Sequence, residues 1–293
     1  MALIKTVAEV KKYFSLDGTF AFESLIPYLE LAEDEVKKML GKPLYLLLHA
    51  YYNGDNPDAD AKLDALLPYC QRPIVYFAFL KGLDKLNVNI GNNGIGIISN
   101  QNLAPASKDR VENLRSSITE GAFDSLEYLL EFLEEKVEDY DTWKTSDAYT
   151  YQHQFLISSA RKFDELYKIN RSRLTFLNWM PAMADVEFLQ INPVVSKELM
   201  DELKKQIKDG DLTDDNKVVL PLIQKALAYL TASKFNNKES FSDGEMYLMT
   251  VKTILDLSPD KYETYKDSTS YVSDLENYQA YENDPDSGFV CFG

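Results

Sequence analysis

Apolar residues recur along most of this chain at spacings of three and four, the period of a helix that buries one face. Thr6-Val7-Ala8-Glu9 reads as a capping box, in which hydroxyl and carboxylate satisfy each other's orphan backbone donors, and Val7, Val10 and Phe14 follow on one face. A second helix is predicted from Phe20 to Leu40, with Phe22, Leu25, Leu29, Ala32, Val36 and Met39 as its stripe; Gly41 and Pro43 end it. Pro27 lies inside that pattern, so the helix either starts late or kinks there. PLYLLLHAYY reads as a short buried helix, and Leu63 to Leu86 as a central one with Pro68 near its start and Pro73 as a kink point. From Leu86 the period changes to two: Leu86, Val88 and Ile90 alternate with Asn87 and Asn89, and Ile95 and Ile97 flank Gly96. That predicts a β-hairpin over 86–98 turning at Asn92, Asn93 and Gly94. Ser107 reads as the cap of a helix through Val111, Leu114 and Ile118, followed by a longer one from Phe123 to Val137. Further helices are predicted near 154–168, 174–184, 195–208, 217–234 and 243–257.

The sequence also resembles itself, and internal repeats decide a fold before any other feature. LIKTVAEVKKYFSL from Leu3 matches LISSARKFDELYKI from Leu156, and LLPYCQRPIVYFAFLK from Leu66 matches VLPLIQKALAYLTASK from Val219, both at an offset of 153. Phe22 and Pro27 match Phe176 and Pro181 at an offset of 154. YDTWKTSDAY from Tyr140 matches YETYKDSTSY from Tyr262 at an offset of 122. The expected fold is therefore mainly α, two tandem homologous helical halves at 1–150 and 151–271, with an acidic tail over 272–293. The fall in offset leaves the first half about 31 residues longer, and the hairpin with the helix after it is the expected addition.

Composition narrows the function. With 31 basic and 47 acidic residues the net charge is −16, which repels phosphate and sets nucleic acid aside. No apolar run is long enough for a membrane span, the N-terminus has no signal-peptide core, and the sparse cysteines fit a reducing, cytoplasmic setting. Cys70 and Cys291 form no disulfide framework, and Cys70 reads as a core residue.

Candidate chemistry is sparse. His49 and His153 belong to no metal-spaced or nucleophile-base set. GNNGIG is neither a dinucleotide nor a phosphate loop, because no G-x-G-x-x-G spacing and no Lys-Ser/Thr accompany it. The turns Asp55–Asp60 and Asp209–Asp215 lack EF-hand spacing and read as solvated turns rather than calcium sites. No catalytic, cofactor or metal residue is therefore expected. Candidate partner-binding residues are the hairpin turn Asn92, Asn93 and Gly94, the aromatic strips with Trp143, Tyr149, Tyr265 and Tyr271, and the tail residues Tyr278, Tyr281, Phe289 and Phe292. The strips read equally as segments packing back on their own helices. The tail, with five acidic residues and no basic one from Asp274 onward, reads as a docking segment with an apolar end.

TVAEVKKYFSLDG, LIPYLELAEDEVKKMLGKPL and LLPYCQRPIVYFAFLKGL, in that order, resemble the small helical head–tail connector (adaptor) proteins of tailed bacteriophages. The whole chain is similar to an uncharacterised family of Bacteroidetes proteins met in phage-like gene blocks. The resemblance rests on helical patterns, and the duplication departs from the single unit usual in connectors. It implies a non-enzymatic structural protein that contacts portal or tail proteins and forms homo-oligomers. A cellular protein–protein scaffold using the groove between the two halves is the alternative, and an enzyme of unknown type the lesser one.

Overall fold

The computed structural model describes residues 2–18, 20–54, 60–86, 88–91, 94–97, 106–235 and 238–272. The described chain is mainly α-helical, and packing divides it into two compact units, Met1–Ala184 and Asp185–Gly293. Packing places the division at Asp185, whereas the expected second half begins at 151.

Unit 1 opens with the extended residues Leu3 and Ile4 and a short helix, α1 (Val7–Lys11), whose capping box forms between Thr6 and Glu9. A 3-10 turn at Phe22–Ser24 leads into α2 (Ile26–Asn53), with Pro27 in the first turn, so the helix starts late rather than kinking there. Gly41 takes φ 69° and ψ 158° and breaks α2 into two pieces. A Cβ at this position would sit 3.0 Å from both the Cβ and the Oγ of Ser146, so glycine answers to sterics as well as to dihedral. The second piece buries Leu44 and Leu48 and exposes Leu46 and Leu47, so the predicted buried helix is buried on one face only.

α3 (Ala61–Leu86) packs against both α2 and α4 (Lys108–Glu135). Its interior Leu66, Cys70, Ile74, Phe77 and Ala78 lie in the core with Leu29, Val36, Leu129 and Leu130. Between α3 and α4, β1 (Val88–Gly91) pairs antiparallel with β2 (Gly94–Ile97), with Val88 opposite Ile97. Ser107 caps α4, accepting from the Arg110 N–H. The two helices expected at 107–118 and 123–137 are one continuous helix, because Gly121 is tolerated where it lets the Tyr76 ring of α3 approach.

A 3-10 turn (Val137–Asp139), α5 (Asp141–Lys144) and α6 (Asp147–Gln152) then fold back on α2. The unit continues through α7 (Ala160–Leu166), and the division falls inside α8 (Arg173–Val186).

Unit 2 continues from α8 through a π-turn (Glu187–Ile191), α9 (Asn192–Val195), α10 (Lys197–Asp209), α11 (Asp214–Ser233), α12 (Lys238–Leu257), a 3-10 turn (Pro259–Lys261) and α13 (Glu263–Lys266). α11 and α12 pack closely, with Gly244 against Leu230.

Similar local devices occur in the two stretches of chain that resemble each other in sequence. Thr6 caps α1 through the Glu9 N–H, and Ser159 caps α7 through the Lys162 N–H. Gly41 and Ser196 share one backbone shape, φ 69°, ψ 158° and φ 76°, ψ 148°. Gly54 and Gly210 end their helices in the left-handed region. The Tyr140 hydroxyl donates to the Lys62 carbonyl at 2.8 Å, and the Tyr262 hydroxyl to the Asp215 carbonyl at 3.1 Å. Lys62 pairs with Asp139 at 3.1 Å, while Lys261 pairs with Asp215 at 3.3 Å, the same bridge with its charges exchanged. The stretch from α3 to α4 is longer than that from α11 to α12, and β1 and β2 lie within it.

Candidate functional site

The aromatic strips are core. Trp143 is fully buried, donates from Nε1 to the Met39 carbonyl at 2.9 Å, and meets Tyr149 edge-on at 5.0 Å. Tyr265 is likewise buried; its hydroxyl donates to Asp256 at 2.5 Å, and its ring meets Tyr271 at 5.7 Å. Trp143, Tyr149 and Tyr265 therefore offer no free docking surface: Trp143 anchors the short helices to α2, and Tyr265 ties its segment to α12. Gly94 opens β2 opposite Gly91. Asn92, Asn93, Tyr278, Tyr281, Phe289 and Phe292 lie outside the described residues.

Acidic turns and histidines are also accounted for locally. Asp60 accepts from the N–H groups of Lys62 and Leu63 at the start of α3, and residues 55–59 lie outside the description. In the other turn Asp214 pairs with Lys217 at 2.7 Å and Asp215 with Lys261. Among the described residues, no group of His, Cys, Asp and Glu is placed to hold a metal ion. His153 lies 3.7 Å from Glu134. Cys70 is buried, and burial pushes its thiol well above the usual range, away from the reactive thiolate.

The most elaborate polar arrangement lies on the outer face of α4. Three adjoining depressions of about 490, 330 and 280 Å³ run along this helix and share Asp124. Glu127 lines the depression of about 330 Å³. It accepts from the Arg161 N–H at 2.9 Å through one oxygen and from Arg173 Nη1 at 3.2 Å through the other. Arg173 is itself buried, and its Nη2 donates to Gln152 Oε1 at 2.8 Å. Burial pushes the Glu127 carboxyl up and the Arg173 guanidinium down, each opposed by the other's charge. Flanking them, Arg161 lies 3.6 Å from Glu131 and Lys162 lies 3.3 Å from Glu134. Ser158 donates to the same Glu134 at 3.3 Å.

The far wall is the loop between α7 and α8. Asn170 and Arg171 both take positive φ, 57° and 54°, a conformation that costs about 1–3 kcal/mol per non-glycine residue. Asp164 holds that shape: its carboxylate accepts from the Ile169 N–H at 2.8 Å, the Arg171 N–H at 3.2 Å and Lys168 Nζ at 3.0 Å. Burial alone would raise this carboxyl, but those donors outweigh it and hold it below the usual range. Asp124, by contrast, is raised by burial and by the nearby Glu120.

This arrangement binds one segment of chain to another. Glu127, Glu131 and Glu134 of α4 each face a base of the 158–173 segment. Sequence reasoning missed it, because Glu127 and Arg173 lie far apart and neither sits in a motif; the only signal was a single arginine at the start of an otherwise apolar helix. It also missed an open depression of about 470 Å³ where Lys37, Lys38, Lys42 and Lys81 gather beside Leu31, Asp34 and Glu35, with Glu35 pairing with both Lys38 and Lys81.

Family comparison adds one result. A family model described as a family of unknown function, DUF6712, matches residues 36–153 and 191–241, more than half of the chain. The chain belongs to DUF6712. The matched segments of this DUF6712 protein include α4 and its acids, and the stretch between them carries α7 and α8. No curated protein matches the chain, and no solved structure does. No helix among the described residues is long and apolar enough to cross a membrane.

Proposed function

We propose that this DUF6712 protein is a non-enzymatic structural component that works through protein–protein contacts, of the head–tail connector kind found in tailed phages and prophages. One observation carries the reading: in the most elaborate polar site, Glu127, Glu131 and Glu134 are engaged by Arg161, Lys162 and Arg173 of another segment of the same chain. A general acid or base needs to reach a substrate proton, and these groups reach each other instead. The order of helices in the first 83 residues supports the connector assignment. The same reading takes the two series of elements as copies of one helical module, in keeping with their paired caps, tyrosine tethers and charge-exchanged bridge.

The test is to read the genes neighbouring this one for portal and tail proteins and to co-express those proteins with this chain. Co-purification of a stoichiometric complex is the expected result. Failure to bind any of them, with capture of a host protein instead, would overturn the connector reading in favour of a cellular scaffold.

A further inference from the structure

Two of the depressions on α4 join at Asp124 and Tyr128, and cations without carboxylate partners stand on both sides of that junction. Lys12 and Arg72 line one depression, and Arg171 lines the other. The Arg72 guanidinium lies 5.9 Å from the centre of the Tyr13 ring. None of these three side chains forms a hydrogen bond or an ion pair among the described residues. The other charges of this face are already matched: Glu127 is bound by Arg173, and Glu131 lies beside Arg161. Asp124 is the one carboxylate lining these two depressions without a partner among the described residues, and it stands against three free cations. On a chain of net charge −16, the junction is a local excess of positive charge.

Aromatic rings wall the junction, and their neighbours hold them in place. The Tyr13 hydroxyl donates to Gln71 Oε1 at 3.2 Å, and Tyr76 meets Phe14 edge-on at 5.9 Å. Gly121 leaves the space on α4 that the Tyr76 ring fills. Tyr128 is 52 % exposed. Arg171 belongs to the positive-φ turn that Asp164 fixes through the Ile169 and Arg171 N–H groups. Strain of this kind clusters at ligand clamps, where the surrounding structure holds it.

We infer that this junction binds an extended acidic peptide segment of another protein. Carboxylates of the peptide pair with Lys12 and Arg72 on one side and with Arg171 on the other, as charge-assisted hydrogen bonds. Backbone N–H groups of the peptide meet Asp124, which repels a free anion that has no such donors. The tyrosine rings take the apolar parts of the segment. The inference goes beyond the connector reading and does not depend on it, because it follows from the free charges and walls of one groove.

The test is fluorescence anisotropy on the full chain, with a fluorescein-labelled eight-residue peptide that alternates Glu with Ala. Saturable binding that weakens with added salt is expected, and none for the same peptide with Lys in place of Glu. Arg72→Glu and Arg171→Glu are each expected to weaken binding at least tenfold while leaving the helical circular-dichroism spectrum unchanged. Lys38→Glu makes the same charge change in the separate lysine-lined depression, and is expected to alter affinity less than twofold. No saturable binding by the wild type would overturn the inference. So would equal binding of the lysine peptide, or an equal loss from Lys38→Glu, which would mark a general charge effect. Peptide binding by a chain that ignores portal and tail proteins would leave this inference standing and the connector reading overturned.

Discussion

Trp143 and Tyr265 stand at matching positions of two similar sequence strips, and both are fully buried, yet they are tied down differently. Trp143 reaches a backbone carbonyl of α2, so it fastens the short helices across the unit. Tyr265 reaches Asp256 and Lys252, side chains of α12, the long helix just before it. The same contrast recurs one level up. The outer face of α4 is acidic and bound to the basic 158–173 segment, while α12 exposes Met246, Met249 and Leu257 among polar residues such as Thr250, Thr253 and Asp256. The lesson is that two stretches with similar backbone devices differ in the side chains that decide what each outer face holds.

Breaking the comparison at its strongest points should give the largest effects. Trp143→Ala should cost about 3–5 kcal/mol of stability, since it empties a fully buried aromatic site. Tyr265→Phe, which removes only the hydroxyl, should cost about 0.5–1.5 kcal/mol. Urea denaturation of both variants checks the difference, and equal losses would contradict the cross-unit role given to Trp143.

Arg173→Met should also cost about 3–5 kcal/mol, because it leaves the Glu127 carboxylate buried and unpaired. Adding Glu127→Met should restore most of that loss. If the single substitution proves neutral in the same assay, the α4 joint is not the ion pair described above.

Gly41 and Ser196 sharpen the comparison further. Their backbone is nearly identical and lies where side chains are strained. Gly41→Ser should cost about 1–3 kcal/mol, since its new Cβ would press on Ser146. Ser196→Gly should change stability by less than about 1 kcal/mol, because relief of strain offsets loss of the cap to the Leu199 N–H. Thermal unfolding of the two variants decides the point; a large loss from Ser196→Gly would show that the serine cap dominates there.

Acid should act through Asp164. Its carboxyl is depressed in the folded state, so its stabilisation is present above the unfolded carboxylate pKa of about 3.9 and is lost as pH falls through the lower folded value. Asp164→Asn should therefore lower stability at neutral pH and flatten this part of the acid limb. Denaturation midpoints at neutral and acidic pH measure it, and an unchanged acid limb would contradict the assignment. The smallest effect should come from exchanging Lys62 and Asp139 to copy the Asp215–Lys261 arrangement. Both side chains are half-exposed, so the double exchange should shift stability by less than about 1 kcal/mol, again read by urea denaturation.

Much of the fold was legible because it is local. The Thr6–Glu9 box, the break at Gly41, the cap at Ser107 and the late start at Pro27 each follow from a few neighbouring residues. What escaped the sequence was relational. Gly121 reads as a helix boundary until Tyr76 is seen to pack where its side chain would be. The strips at 140–149 and 262–271 look like docking aromatics because burial of Trp143 depends on α2, far away in sequence. The Glu127–Arg173 joint has no local signature at all, since pairing across 46 residues leaves no periodic trace.

The binding of Glu127, Glu131 and Glu134 of α4 by the 158–173 segment is the centre of this account, and a double-mutant cycle at Glu127 and Arg173 tests it most directly. Urea denaturation of Glu127→Met, Arg173→Met and the double variant is expected to show a coupling of about 1–3 kcal/mol between the two positions. Additive losses would contradict the joint.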